Sequence, residues 1–187
     1  MTAWVLLRAA GIGAYLMLFL SVAWGLLATT SLVTARVSKP AATMFHAFVA
    51  SAGLALLVVH MALLIVDRFF PFGAVELVVP FTSTYRPVSV GLGVVAMYAT
   101  VAVVATSWLR KRVGTAWWRR VHLLAVPTFA MTLLHGVFAG TDTERPLMLA
   151  MYAATGLSVV FLVIVRALTH GVRPVRQPRP TSETQPA

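Results

Sequence analysis

Four histidines lie in strongly apolar stretches. His46 and His60 stand 14 residues apart in one stretch, and His122 and His135 stand 13 apart in another. A ligating or ionisable side chain within a membrane-length segment is costly, and it marks a functional site by default. On helices rising 1.5 Å per residue, those separations are about 21 Å and about 20 Å. Two parallel helices would then hold imidazoles in pairs at two matching levels, His46 with His122 and His60 with His135. Haem iron takes axial ligands from protein. A histidine on each side makes it six-coordinate, so it passes electrons and keeps no open position for a substrate. The chemistry expected of this pattern is electron transfer through two flat cofactors stacked across a bilayer.

Helical phase leaves one question. Fourteen residues bring His46 and His60 to within about 40° of one face, whereas thirteen leave His122 and His135 about 140° apart on an ideal helix. Pro127 lies between the second pair, and proline distorts a helix interior. A local change of winding there would return both rings to one seam. Two other readings stay open. Intramembrane histidines also serve as interhelical hydrogen-bonding residues. A zinc or copper ion would find only two obvious ligands at each level, with no nearby carboxylate. His170 reads as an interfacial residue.

The elements that carry these residues follow from composition. Of 187 residues, 59% are hydrophobic and 11% are charged. Soluble domains run nearer 45–50% and roughly 25%, so the expectation is an integral membrane protein. One bundle occupies nearly the whole length and leaves no room for a soluble catalytic domain. The absence of cysteine excludes disulfides, thiolate metal sites and iron–sulfur clusters. The net charge of +10 comes from short loops beside apolar spans. That pattern is the positive-inside bias, and nothing else suggests nucleic-acid binding.

An all-α fold is expected: a polytopic helical bundle with five transmembrane helices. The spans run about Ala10–Thr29, Met44–Val66, Val88–Leu109, Val121–Ala139 and Leu147–Leu168, the length a hydrocarbon core of ~30 Å demands. The first apolar run is too long for a signal-peptide core. Arg110, Lys111, Arg112, Arg119 and Arg120 mark the loop between spans three and four as cytoplasmic. That puts Arg36, Lys39 and the tail arginines on the same side, 11 of the 15 basic residues in all. Asp67, Glu76, Asp142 and Glu144 then face outward. The N-terminus is expected outside and the C-terminus in the cytoplasm, so His46 and His122 form the inner level. The stretch from Phe69 to Tyr85, broken by Pro71, Gly73 and Pro80, is expected to be a re-entrant or interfacial segment. Residues 171–187, rich in Pro, Arg, Thr and Gln, are expected to be a disordered tail.

The paired spacing resembles the ferric reductase-like transmembrane domain shared by metalloreductases and NADPH oxidases. So do the segments HAFVASAGLALLVVH (46–60), VVPFTSTYRPVSVGLG (78–93) and RVHLLAVPTFAMTLLHGVFAGTD (120–142), which are similar to short bacterial members. The resemblance covers roughly residues 10–168, within a haem-binding domain of residues 1–170. It implies two b-type haems, held at the inner level by His46 and His122 and at the outer by His60 and His135, in a multi-pass protein of the cytoplasmic membrane. It also implies a membrane component of an oxidoreductase system. Full-length reductases have six spans followed by a flavin and nicotinamide domain. Here five spans are read, and no G-x-G-x-x-G fingerprint follows a strand. Electrons would therefore come from a separate cytoplasmic or membrane donor, a flavoprotein or a quinol. An acceptor outside would be ferric iron, a flavoprotein or oxygen. A haem-binding anchor for a separate flavoprotein, and a cofactor-free protein with structural histidines, are the alternatives.

Haem carboxylates want basic or hydrogen-bonding partners. Arg119, Arg120 and Trp118 are the inner candidates, and Tyr85, Arg86 and Thr82 the outer ones. Phe48, Phe129 and Met131 fall between the levels, where they could pack on a cofactor. Gly53 and Gly91 could let a porphyrin or a helix approach closely. The five tryptophans fall mostly at span ends, as interface anchors do.

Overall fold

The computed structural model describes residues 2–28, 36–66 and 72–169. Thr29, Asp67, the start of the linker at Phe69, His170 and the tail lie outside them, as do the expectations made for those residues. The elements are α1 (Thr2–Leu27), α2 (Lys39–Val66), α3 (Ala74–Val78), α4 (Pro87–Trp108), α5 (Arg110–Val113), α6 (Thr115–His122), α7 (Ala125–Ala139) and α8 (Pro146–Thr169). Every regular element among the described residues is helical. Five stretches are long and apolar enough to cross a membrane: α1, α2, α4, α6 continued by α7, and α8. Large apolar side chains such as Val58, Phe161 and Leu168 face outward, which is the surface a lipid environment requires. The first helix starts at Thr2 rather than Ala10, and that brings Arg8 inside it.

Local chemistry sets the boundaries. Pro87 and Pro146 open α4 and α8, at positions where a missing N–H costs nothing. Gly114, at φ 81°, separates α5 from α6 in a conformation that side chains resist. Successive long helices run antiparallel. α1 packs on α2, α7 and α8, and α4 packs on α7 and α2. The apolar core joins Tyr15, Val22 and Leu26 of α1 to Phe129 of α7 and Val159 of α8. Tyr15 stacks on Phe129 at 5.8 Å and meets Tyr152 edge-on at 5.3 Å. Its hydroxyl bonds the Thr155 hydroxyl, which itself donates to the Met151 carbonyl at 2.7 Å. No polar atom of this pair is left bare in the apolar core.

The fourth span is not one continuous helix. It breaks at Leu123–Leu124, where the Leu124 N–H bonds the Val121 carbonyl, three residues back, at 3.0 Å. Pro127 explains the site of the break. It offers no N–H to the Leu123 carbonyl four residues earlier, and its ring crowds that carbonyl. Tightening two residues to 3₁₀ winding turns each by about 20° more and cuts the 140° offset between His122 and His135 to about 100°. Both rings then reach the same cavity wall.

The linker folds back along α4. The Tyr98 hydroxyl donates to the Val78 carbonyl at 2.6 Å, roughly 16 Å along α4 from its start. Leu77 is buried. Phe81 takes φ 67°, and its ring lies where a side chain at Gly91 would stand. Glu76 fastens the segment by accepting the N–H of Gly73 at 2.9 Å and of Thr84 at 3.0 Å. The Thr84 N–H, and after it that of Gly73, holds the Glu76 carboxyl below its ordinary range. A depressed carboxyl contributes stability above its unfolded pKa and loses it as pH falls through the folded value. Amide exchange at Thr84 should therefore stay protected at neutral pH and lose protection in acid, and Glu76→Ala should remove that protection at every pH.

Candidate functional site

One cavity of about 1400 Å³ runs through the bundle, lined by α1, α2, α4, α6–α7 and part of α8. Ligand pockets usually measure about 300–1,000 Å³, so this one exceeds a single ordinary site. All four histidines line it. His46 and His122 approach with ring centroids 5.9 Å apart and planes at 66°. His60 and His135 lie close enough to interact electrostatically. The pairs expected from spacing are the pairs the fold brings together. The first sits toward the end carrying Lys39, Arg110 and Arg119, and the second toward the end carrying Arg8 and Asp142.

The far pair is fixed by main chain. His60 Nδ1 lies 3.1 Å from the Leu7 carbonyl of α1, and His135 Nδ1 lies 2.8 Å from the Ser89 carbonyl of α4. A carbonyl can only accept, so each Nδ1 carries the proton and each Nε2 carries the lone pair. Metal-ligating histidines are oriented by such a bond from the second nitrogen. At the other level the Nδ1 atoms of His46 and His122 are buried without a hydrogen-bond partner. His46 lies beside the Ser21 carbonyl of α1, with no hydrogen bond at Nδ1. His122 leans on Trp118, one turn earlier, with ring centroids 5.2 Å apart. Trp118 is held in turn by its Nε1–H donating to Ser107 at 3.2 Å and by the Arg110 guanidinium 4.1 Å above its ring.

This donor set suits a planar cofactor better than a bare ion. Zinc takes three or four protein ligands, and no group of three or more His, Cys, Asp or Glu gathers among the described residues. Two imidazoles per level would suffice for a metal that a macrocycle already holds. With about 2 Å for each metal–nitrogen bond and roughly 1 Å from nitrogen to ring centre, two ligands on one metal have centroids about 6 Å apart. The His46–His122 separation of 5.9 Å agrees.

The supporting residues divide. Tyr85, Trp118 and Arg119 line the cavity, whereas Arg86 and Arg120 do not. The Arg86 guanidinium bonds the Phe138 carbonyl, and Tyr85 donates to the Ala139 carbonyl at 3.3 Å. Together they fasten the end of α7, just past His135. Arg120 lies over Trp117 at 5.6 Å. Thr82 donates within the linker to Val79 at 2.8 Å. Phe129 is only 2% exposed, within the core, and Phe48 is 70% exposed on the outer surface. Neither lines the cavity, nor does Met131. Gly53 lines the cavity and also admits Met17 of α1, whereas Gly91 lies off the cavity and admits Phe81.

Three sets of residues escaped the sequence reading. Arg8 lines the far end of the cavity and forms an ion pair with Asp142, which also pairs with Arg145 at 3.2 Å. Arg110 lines the opposite end. Gly11, Gly25 and Gly93 lie directly behind His60, His46 and His135. A signal existed: Gly11 and Gly25 share the 14-residue spacing of His46 and His60. No protein-family model, curated protein or solved structure matches the chain.

The break near Pro127 makes a direct test. Pro127→Ala should restore continuous winding and turn His122 away from His46. Nitrogen-15 spectra of the purified protein should then show changed signals for His46 and His122 and unchanged signals for His60 and His135.

Proposed function

We propose that the chain carries electrons across a membrane through two b-type haems, one between His46 and His122 and one between His60 and His135. The observation that carries this reading is the facing of two imidazole pairs, from α2 and from α6–α7, into one apolar cavity. Haem bound there would supply a one-electron iron centre, and the protein sets its ligands and surroundings. The resemblance to ferric reductase-like transmembrane domains points the same way.

The chain's own residues have definite tasks in this scheme. The four Nε2 lone pairs bind, and the two Nδ1 bonds to Leu7 and Ser89 keep the far pair in the ligating tautomer. Apolar side chains such as Leu54, Leu57, Val94 and Val104 line the cavity and exclude water between the levels. Cationic groups stand at both ends, Arg110 and Arg119 at one and Arg8 at the other, where acidic edges of a cofactor need them. The end rich in Lys39, Arg110, Lys111, Arg112, Arg119 and Arg120 is cytoplasmic by the positive-inside bias. Electrons then enter beside His46 and His122 from a flavoprotein or quinol and leave beside His60 and His135. Ferric iron, a flavoprotein or oxygen takes them outside the cytoplasmic membrane.

A reduced-minus-oxidised spectrum of the purified protein tests the cofactor. Wild type should show two six-coordinate b haems, and His46→Ala or His60→Ala should each show one. Vesicles with ferricyanide trapped inside and reductant outside test the path: wild type should reduce the ferricyanide, and either variant should fall to the protein-free rate. A wild type that stays colourless when expressed with added haem would sink the proposal.

A further inference from the structure

The helices that carry no histidine nevertheless touch the site in a repeated way. Built on Gly93, a Cβ would lie 2.6 Å from His135 Nδ1 and 2.7 Å from its Cε1. On Gly11 it would lie 2.9 Å from His60 Nδ1 and 3.0 Å from its Cε1. On Gly25 it would lie 3.4 Å from His46 Cε1 and 3.9 Å from its Nδ1. In each case the carbonyl that the imidazole faces belongs to the residue four before the glycine: Ser89 for Gly93, Leu7 for Gly11, Ser21 for Gly25.

Helix geometry explains the repeat. The Cα–Cβ bond tilts toward the helix N-terminus, so a side chain at one position stands over the carbonyl four residues earlier. That carbonyl already accepts the N–H of its own helical partner, and it keeps a second lone pair. Glycine removes the cover. An imidazole can then lie flat against the neighbouring helix and donate Nδ1–H to the spare lone pair. The fourth histidine, His122, has no such glycine behind it and rests on Trp118 instead.

We infer that Gly11, Gly25 and Gly93 are positioning residues: notches in α1 and α4 that seat the ligand imidazoles and, at Gly11 and Gly93, fix the proton on Nδ1 so that Nε2 faces the cavity. The inference rests on the haem reading for the role of Nε2, and on the geometry alone for the seating. Any side chain at Gly93 or Gly11 displaces a ring and breaks its carbonyl bond. At Gly25 the contact is of ordinary van der Waals length and the ring shifts little.

The test uses the full chain in detergent, with Gly11→Ala, Gly25→Ala and Gly93→Ala compared against Gly156→Ala on α8. The control is also a close helix contact, since its Cβ would lie 3.1 Å from Leu133 Cδ2, but it backs no histidine and lies off the cavity. In haem-loaded protein, paramagnetic resonance and redox titration read the two levels separately, with His60→Ala identifying which signals belong to the far level. Gly93→Ala and Gly11→Ala should shift the far-level g-values and midpoint potential and leave the other level as in wild type. Gly25→Ala, the variant most certain to fold, should shift only the other level, and by less. Gly156→Ala should lower thermal stability and move neither spectrum. An unchanged far level in Gly93→Ala and Gly11→Ala, or equal shifts in Gly156→Ala, would overturn the inference. Nitrogen-15 spectra of haem-free protein decide the matter separately from haem binding. His60 and His135 should carry the proton on Nδ1, with the His135 signal alone changed in Gly93→Ala; protons on Nε2 would overturn the seating even if haem binds. Failure of the wild type to take up haem would defeat the conduit proposal and leave this nitrogen result to judge the notches.

Discussion

An imidazole has two nitrogens, and in an apolar interior both must be answered. A buried polar atom without a partner costs about 1–3 kcal/mol, and a bilayer core offers no water to relieve it. Here the two nitrogens are given separate tasks. Where the fold supplies a carbonyl to Nδ1, as Leu7 does for His60 and Ser89 for His135, Nε2 is left as a bare acceptor aimed into a cavity. Histidines kept only to tie helices together would spend both nitrogens on neighbouring helices. The proposed haem would answer those bare lone pairs and ask for little else from the protein.

That division of labour accounts for the arrangement of helices. α2 and α6–α7 run parallel and carry the histidines, so matched spacing along each puts the rings at matched levels. α1 and α4 run antiparallel to them and carry none. They supply the glycine notches and the carbonyls, and so complete the site from behind. α8 packs outside on α1 and α7 through Val159 and Thr155 and steadies the wall that holds His135. The linker and the Tyr85–Arg86 pair close the far end by fastening the last carbonyls of α7.

The sequence made much of this legible, and the exceptions have physical causes. The five apolar spans and the pairing of histidines follow from length and from rise per residue, which packing does not alter. The break near Pro127 was also readable, because a missing N–H acts on its own helix. Arg119 and Arg120 show a finer signal that went unused. Residues three and four before His122 share its face, which favours Arg119 and Trp118 and turns Arg120 away. Arg8 was hidden by a helix start read at Ala10, since hydropathy falls off before helical structure does.

The glycines were the least legible part, although their spacing stood in the sequence. A 14-residue interval between Gly11 and Gly25 means nothing until α1 is known to lie antiparallel on α2 in one register. Once it does, Gly11 meets His60 and Gly25 meets His46, because the two intervals are equal and the helices run in opposite directions. Register is a property of the pair, set by the packing of Met17 against Gly53 and of Leu56 against Gly13 between the histidine levels. The same contacts that hold α1 to α2 therefore decide whether both imidazoles find their notches. A slip of one residue would rotate every notch by about 100° and set a side chain behind each ring. Helix packing and the orientation of the histidines are, in this bundle, one constraint.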